Sequence, residues 1–142
     1  MVNSTPRITV VIPVYNEEFA LATCLEALAK QDFTGSFEVV VVDNASTDRS
    51  AEIARSFGCR VIWEPERGYV HALRAGIAAA TGEIIACTDG DSIVPTTWLS
   101  HITRLLSRRG VVACSGGFDF FDGALWVRLL GKVFGRLNYH LA

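Results

Sequence analysis

Five apolar runs rich in β-branched residues punctuate the chain: Ile8 to Val14, Phe37 to Val42, Cys59 to Trp63, Glu83 to Thr88 and Val111 to Ser115. They are continuous rather than alternating, and Val39-Val40-Val41-Val42 is the extreme case. Such runs mark strands buried on both faces. Between them the apolar spacing becomes helical. Leu21, Cys24, Leu25 and Leu28 recur at i, i+3, i+4, i+7, and so do Leu73, Gly76, Ile77 and Ala80. Ile53, Ala54 and Phe57 make a shorter stripe, and Trp98, Ile102 and Leu105 a fourth. Asn16 is placed to cap the first helix, with Glu17 and Glu18 in its first turn, and Ser46 or Thr47 to cap the second. Gly58 and Gly82 stand where helices should stop. The order β-α-β-α-β-α-β-α-β predicts an α/β fold: an open, mostly parallel, Rossmann-like sheet with helices on both faces and right-handed crossovers.

The last segment reads differently. From residue 124 onward, Trp126, Leu129, Leu130, Val133 and Leu137 keep helical spacing, while Arg128, Lys132 and Arg136 share another face. Gly131 and Gly135 weaken such a helix by about 1 kcal/mol each relative to Ala. This basic amphipathic tail either packs on protein or lies on a membrane surface. The expected division is therefore residues 1–123 as one domain and 124–142 as a helical tail.

With 142 residues the chain has the size of one ordinary domain, and half of it is hydrophobic, which disfavours disorder. A net charge of −2 argues against a general grip on nucleic acid. Cys24, Cys59, Cys87 and Cys114 have no metal-ligand spacing, so they read as buried thiols of a reducing compartment. The chain opens without a signal peptide, and no apolar run nears the roughly 20 residues of a membrane-spanning helix. A cytoplasmic location is expected, with the inner face of a membrane as its nearest variant.

In an open parallel sheet, ligands bind beyond the carboxyl ends of the strands. Those ends carry Pro13-Val14-Tyr15-Asn16-Glu17, Asp43-Asn44-Ala45-Ser46, Glu64-Pro65-Glu66-Arg67-Gly68 and Asp89-Gly90-Asp91. Polar and acidic groups thus collect on one rim. The first turn lacks G-x-G-x-x-G and G-x-x-x-x-G-K-[ST], which disfavours a dinucleotide site and a phosphate loop, and the chain has no G-x-S-x-G elbow. Asp89 and Asp91 point the same way if the chain is extended there, so they can share one hard divalent ion, Mg²⁺ or Mn²⁺, with substrate phosphates. Gly90 between them permits close approach. Asp43 either accepts the N–H of a uracil or guanine ring or caps local backbone. Tyr15 either stacks on a base or packs half-buried. Arg67 and Arg74 either pair with a diphosphate or with Glu64 and Glu66. His71 is a phosphate donor or an exposed helix residue.

Val10-Val11-Ile12-Pro13-Val14-Tyr15-Asn16-Glu17 resembles the opening of the family 2 glycosyltransferases of the GT-A fold. The run VVVVDNASTDRS from Val39 to Ser50 resembles that family's second block. Gly68 to Gly76, followed by Ala80-Thr81-Gly82-Glu83, resembles its third, and Asp89-Gly90-Asp91 falls where the family keeps its D-x-D metal motif. The resemblance runs from about Ile8 to Leu99.

It implies metal-dependent transfer of a sugar from a UDP- or GDP-sugar donor, usually with inversion, to a saccharide or lipid-linked acceptor such as those of cell-envelope polysaccharide synthesis. Donor contacts would then fall to Pro13, Tyr15, Glu17, Asp43, Arg67, Gly68, Arg74, Asp89 and Gly90, with Asp91 and Asp89 on the metal. The family's catalytic base is an acidic residue well downstream of the metal motif. Asp119 and Asp122 lie in that direction, but their Phe-Asp-Phe-Phe-Asp-Gly context does not match, and no base is assigned. The chain reads as the donor half of a larger enzyme, stopping before the acceptor-binding half. A non-catalytic nucleotide-sugar-binding module is the alternative. A nucleotidyltransferase would need a Gly-rich basic first loop, which Pro13 to Glu17 is not. A sheet ending at Ser115 would leave an edge for a homodimer.

Overall fold

The computed structural model describes residues 7–116. Four strands, β1 (Ile8–Val14), β2 (Phe37–Asp43), β3 (Arg60–Trp63) and β4 (Ile84–Cys87), alternate with four helices, α1 (Leu21–Ala29), α2 (Ser50–Ser56), α3 (Tyr69–Ala79) and α4 (Trp98–Leu106). The strands form one sheet in the order β3-β2-β1-β4, with every pairing parallel. The chain divides into two compact units, Met1–Thr103 and Arg104–Ala142. The whole sheet lies in the first.

The apolar runs explain the layering. All seven residues of β1 are buried, because it is central and covered on both sides. Ile8, Val10, Ile12, Val14 and Val41 pack with Leu21, Cys24, Leu25 and Leu28 of α1, Ala54 of α2 and Leu99 of α4. Val11, Val40 and Val42 point the other way onto Ala72 of α3. α3 lies very close to the sheet at Gly76, where a Cβ would meet Val11 Cγ1 and Val42 Cγ2, the latter at 2.9 Å.

The α1 stripe is as expected, but the α3 stripe is shifted. Its buried residues are Ala72 and Gly76, while Ile77 is exposed and Ala80 lies beyond the helix. α2 ends at Ser56 with Gly58 at φ +76, and Cys59 N–H donates to Ala54 O at 3.2 Å. α3 stops at Ala79, ahead of Gly82, as Ala80 turns extended.

Four expectations are corrected. Residues 111–116 have no regular structure, so the fifth strand is absent from the described residues. β propensity needs a partner ladder to become a strand, and Val112 instead stands 94% exposed. Asn16 does not cap α1, which begins later, after a turn in which Glu17 O accepts from Ala20 N–H and Leu21 N–H. Neither Ser46 nor Thr47 caps α2; Asp48 Oδ1 accepts from Ser50 N–H at 3.0 Å. Of the four free thiols only Cys24 is fully buried, and Cys87 and Cys114 are exposed. The boundary at 123, the tail helix with its basic face, Asp119 and Asp122 lie outside the described residues. Among the described residues no helix is long and apolar enough to cross a membrane.

Candidate functional site

Parallel strands end on one side of the sheet, and a cleft of about 460 Å³ opens there. Pro13, Val14, Tyr15 and Glu17 line it from the end of β1, and Asn44 from the end of β2. The loop after β3 and the start of α3 add Arg67, Gly68, Tyr69 and Ala72, and the turn after β4 adds Asp89, Gly90 and Asp91.

The β1–α1 loop is held by the β2–α2 loop. Asn16 N–H donates to Ser46 Oγ at 3.1 Å, Glu17 N–H to Ser50 Oγ at 2.8 Å and Glu18 N–H to Asp48 Oδ2 at 3.0 Å. In return Thr47 N–H donates to Asn16 Oδ1 at 2.8 Å. Asn16 adopts φ 56, which Asn tolerates better than most residues, and so turns the chain toward the cleft. The polar cluster that resembled helix caps in sequence is spent on this clasp.

Asp89-Gly90-Asp91 is a turn, not an extended segment: Ser92 N–H donates to Asp89 O at 3.2 Å. Both aspartates still line the cleft. Gly90 is buried against β1, where a Cβ would lie 3.2 Å from Val14 Cγ2 and 3.5 Å from Glu17 Cγ. Its small size therefore serves the protein's own packing and brings Glu17 beside the acidic pair. Burial raises the Glu17 carboxyl above its ordinary range, and the negative charges of Asp91, Asp48 and Asp89 raise it further. Tyr69 is likewise pushed up by burial and by the Asp89 carboxylate beside it. Behind the turn, burial and the charge of Asp91 hold the Cys24 thiol up at about 11, and its S–H donates to Asp89 O at 3.5 Å. It remains a neutral packing group.

The lining also carries a positive charge, that of Arg67. The guanidinium of Arg67 stands 4.6 Å from the centre of the Tyr15 ring, a cation–π distance. Arg67 thus pairs with neither Glu64 nor Glu66, and Tyr15, 43% exposed, packs one face against it. Asp43 does not line the cleft. It is 7% exposed, and its Oδ1 accepts from Ser46 N–H at 3.0 Å. Arg74 is exposed on α3 away from the cleft lining, and His71 Nδ1 lies 3.3 Å from Glu66 Oε2.

The structure therefore gathers Pro13, Tyr15, Glu17, Arg67, Gly68, Asp89, Gly90 and Asp91 and leaves Asp43 and Arg74 outside the lining. It adds Val14, Asn44, Tyr69 and Ala72, none of which the sequence singled out as a donor contact. Asn44 directly follows Asp43, and Tyr69 opens the helix after Gly68, so their place on the same rim was the available signal. Among the described residues no group of three or more His, Cys, Asp or Glu side chains is arranged to hold a metal ion.

Comparison with known proteins places these features in context. The sequence pattern of Glycosyl transferase family 2 matches residues 9–140. The chain is 35% identical over 127 residues to glycosyltransferase AglE of Haloferax volcanii, covering 84% of this chain and 42% of AglE. Its fold superposes on the mannosyltransferase PcManGT from Pyrobaculum calidifontis, in complex with GDP-Man and Mn²⁺, with a TM-score of 0.71. That match has 34% identity and covers 80% of this chain and 36% of the other. Glucosyl-3-phosphoglycerate synthase from Mycobacterium tuberculosis, with Mn²⁺, UDP and glucosyl-3-phosphoglycerate, gives a TM-score of 0.65 at 26% identity, covering 75% and 42%. The chain thus spans less than half the length of these relatives.

Proposed function

Because the chain belongs to glycosyl transferase family 2, we propose that the cleft at the carboxyl ends of β1, β2 and β4 seats a nucleotide-sugar donor whose sugar is transferred to an acceptor. One observation carries this reading: Glu17, Asp89 and Asp91 line the same cleft as Arg67 and Gly68. The volume falls within the range of small-molecule pockets, roughly 300–1,000 Å³.

The ligands of the two structural neighbours support a GDP- or UDP-sugar donor. Arg67 is assigned to its diphosphate, and Gly68, which has no side chain, leaves room for the donor to approach the lining beside it. Tyr15, on the lining, is assigned to the base or ribose. Asp43 stands outside the lining and 7% exposed, and its second oxygen, which accepts no hydrogen bond from the described residues, would meet the N–H edge only of a base that reaches past the lining to the end of β2. Asp91, with Asp89, would hold Mg²⁺ or Mn²⁺. The donor set fits: hard cations take one or two carboxylates and complete their shell with substrate phosphates, so a third protein ligand is not needed. Glu17 lines the cleft together with this acidic pair, and a gathering of carboxylates is the kind of field a cation relieves. Such an ion supplies charge neutralisation of the diphosphate leaving group. The acceptor is a saccharide or a lipid-linked group, and transfer proceeds with inversion.

Thermal shift and calorimetry with UDP and GDP, with and without Mn²⁺, test the reading. Mn²⁺ and nucleotide together should stabilise the wild-type chain by about 2.7 kcal/mol at one hundred times the dissociation constant. Asp91→Ala should abolish the Mn²⁺-dependent part. Equal affinity of wild type and variant in Mn²⁺ overturns the metal assignment, and no binding of either nucleotide overturns the donor site. Labelled donor with acceptor extract then separates transfer from simple association.

A further inference from the structure

Asn44 is 5% exposed at the end of β2, yet it reaches the cleft. Its carboxamide offers one acceptor oxygen and two N–H donors, and all of them serve one loop. Nδ2 donates to Glu64 O at 3.1 Å and to Glu66 O at 2.7 Å, while Oδ1 accepts from Gly68 N–H at 2.7 Å. Its backbone N–H donates to Val14 O at 2.8 Å. A single residue therefore ties the loop after β3 to the ends of β1 and β2. Gly68 is held at φ +137, a backbone conformation L side chains rarely adopt, and a Cβ there would lie 3.1 Å from His71 Cδ2. Arg67 sits between the two most tightly held groups, Glu66 C=O and Gly68 N–H, and its side chain lies over Tyr15.

We propose that Asn44 is a positioning residue for donor binding, acting through Arg67. The proposal rests on the reading of the cleft as the donor site. An exposed arginine loses rotamer freedom when it is ordered on a ligand. Fixing its backbone on both sides in advance removes part of that cost and aims the guanidinium at the cleft. The chemistry also selects Asn at this position. Aspartate would keep the acceptor for Gly68 N–H but lose both donors, and would set a carboxylate against two carbonyl oxygens, one of them 2.7 Å away.

A double-mutant cycle tests it. UDP and GDP binding in Mn²⁺ is measured for wild type, Asn44→Ala, Asn44→Asp, Arg67→Ala and the Asn44→Ala/Arg67→Ala pair. Each Asn44 variant should bind roughly tenfold more weakly, and the pair no more weakly than Arg67→Ala alone. Without nucleotide, trypsin should cut after Arg67 faster in the Asn44 variants than in wild type. In the wild type, which is free of any folding defect, the Gly68 amide should exchange with solvent more slowly than the Arg67 amide. Additive losses in the cycle, unchanged cutting at Arg67, or fast Gly68 exchange would each overturn the proposal. Failure of the wild type to bind either nucleotide removes the donor-site reading, while the protease and exchange results still show whether Asn44 fixes the loop.

Discussion

Glu38 shows how one side chain at the far end of the sheet secures the connection that presents β4. Its Oε1 accepts from Thr9 Oγ1 and Thr81 Oγ1, both at 2.7 Å, and Arg60 lies 3.9 Å from its Oε2. Thr9 Oγ1 in turn accepts from Gly82 N–H at 2.9 Å. Burial alone would raise the Glu38 carboxyl, but hydrogen bonds from Thr81 and Thr9 and the charge of Arg60 outweigh it and hold it below its ordinary value. A carboxylate depressed in the folded state contributes stability above its unfolded value, and that stability is lost as pH falls through the lowered folded value. Glu38→Gln should therefore cost about 1–2 kcal/mol at pH 7, the size of lost charge-assisted hydrogen bonds. In urea unfolding the gap to wild type should close once the pH drops below the carboxylate range. A gap that persists unchanged in acid would show that the charge of Glu38 does not secure the connection.

Elements were legible where burial is uniform. β1 and β2 were read within a residue because their valines and isoleucines are enclosed on both faces, and α1 because its four apolar positions all face the core. Polar residues were harder to place, because their partners are distant in sequence. Ser50 is fully buried, accepts from Glu17 N–H at 2.8 Å and donates to Asp48 Oδ1 at 2.6 Å. Along the chain alone the Ser-Thr-Asp cluster has the composition of a helix cap, and only the fold shows that it holds a loop some thirty residues upstream. Asn44 was missed for the same reason. Ser50→Ala leaves the partly buried Glu17 N–H without its acceptor and should cost about 1 kcal/mol in thermal unfolding. Donor binding should weaken with it, since the freed loop carries Tyr15 and Glu17. An unchanged melting temperature would mean the clasp adds nothing to the fold.

At the scale of the molecule, a near-neutral chain conceals a one-sided distribution. Its net charge is −2, yet Glu17, Asp89 and Asp91 line the cleft, Asp43 ends β2, and Glu18 and Asp48 stand on adjoining loops at the same end of the sheet. Parallel topology is the cause, because it delivers every strand's carboxyl end to one rim, and the alternating pattern of strands and helices already implied it. The order β3-β2-β1-β4 was not implied, and neither was the central place of β1 that sets Glu17 against the Asp89 turn. A nucleoside diphosphate approaching this rim without a divalent cation meets net repulsion, to which Arg67 offers a local counterweight. Salt screens that repulsion over about 10 Å at 0.1 M. Cation-free affinity for UDP or GDP should therefore rise modestly as ionic strength increases. Mn²⁺ bound at the rim offsets the charge of Asp89 and Asp91, so most of the repulsion goes and the rise with salt should largely disappear. Calorimetric titrations at several salt concentrations, with and without Mn²⁺, measure both slopes. Equal slopes with and without Mn²⁺ would mean that the cation does not govern the potential of the cleft, and the acidic pair would lose its role as the anchor for it.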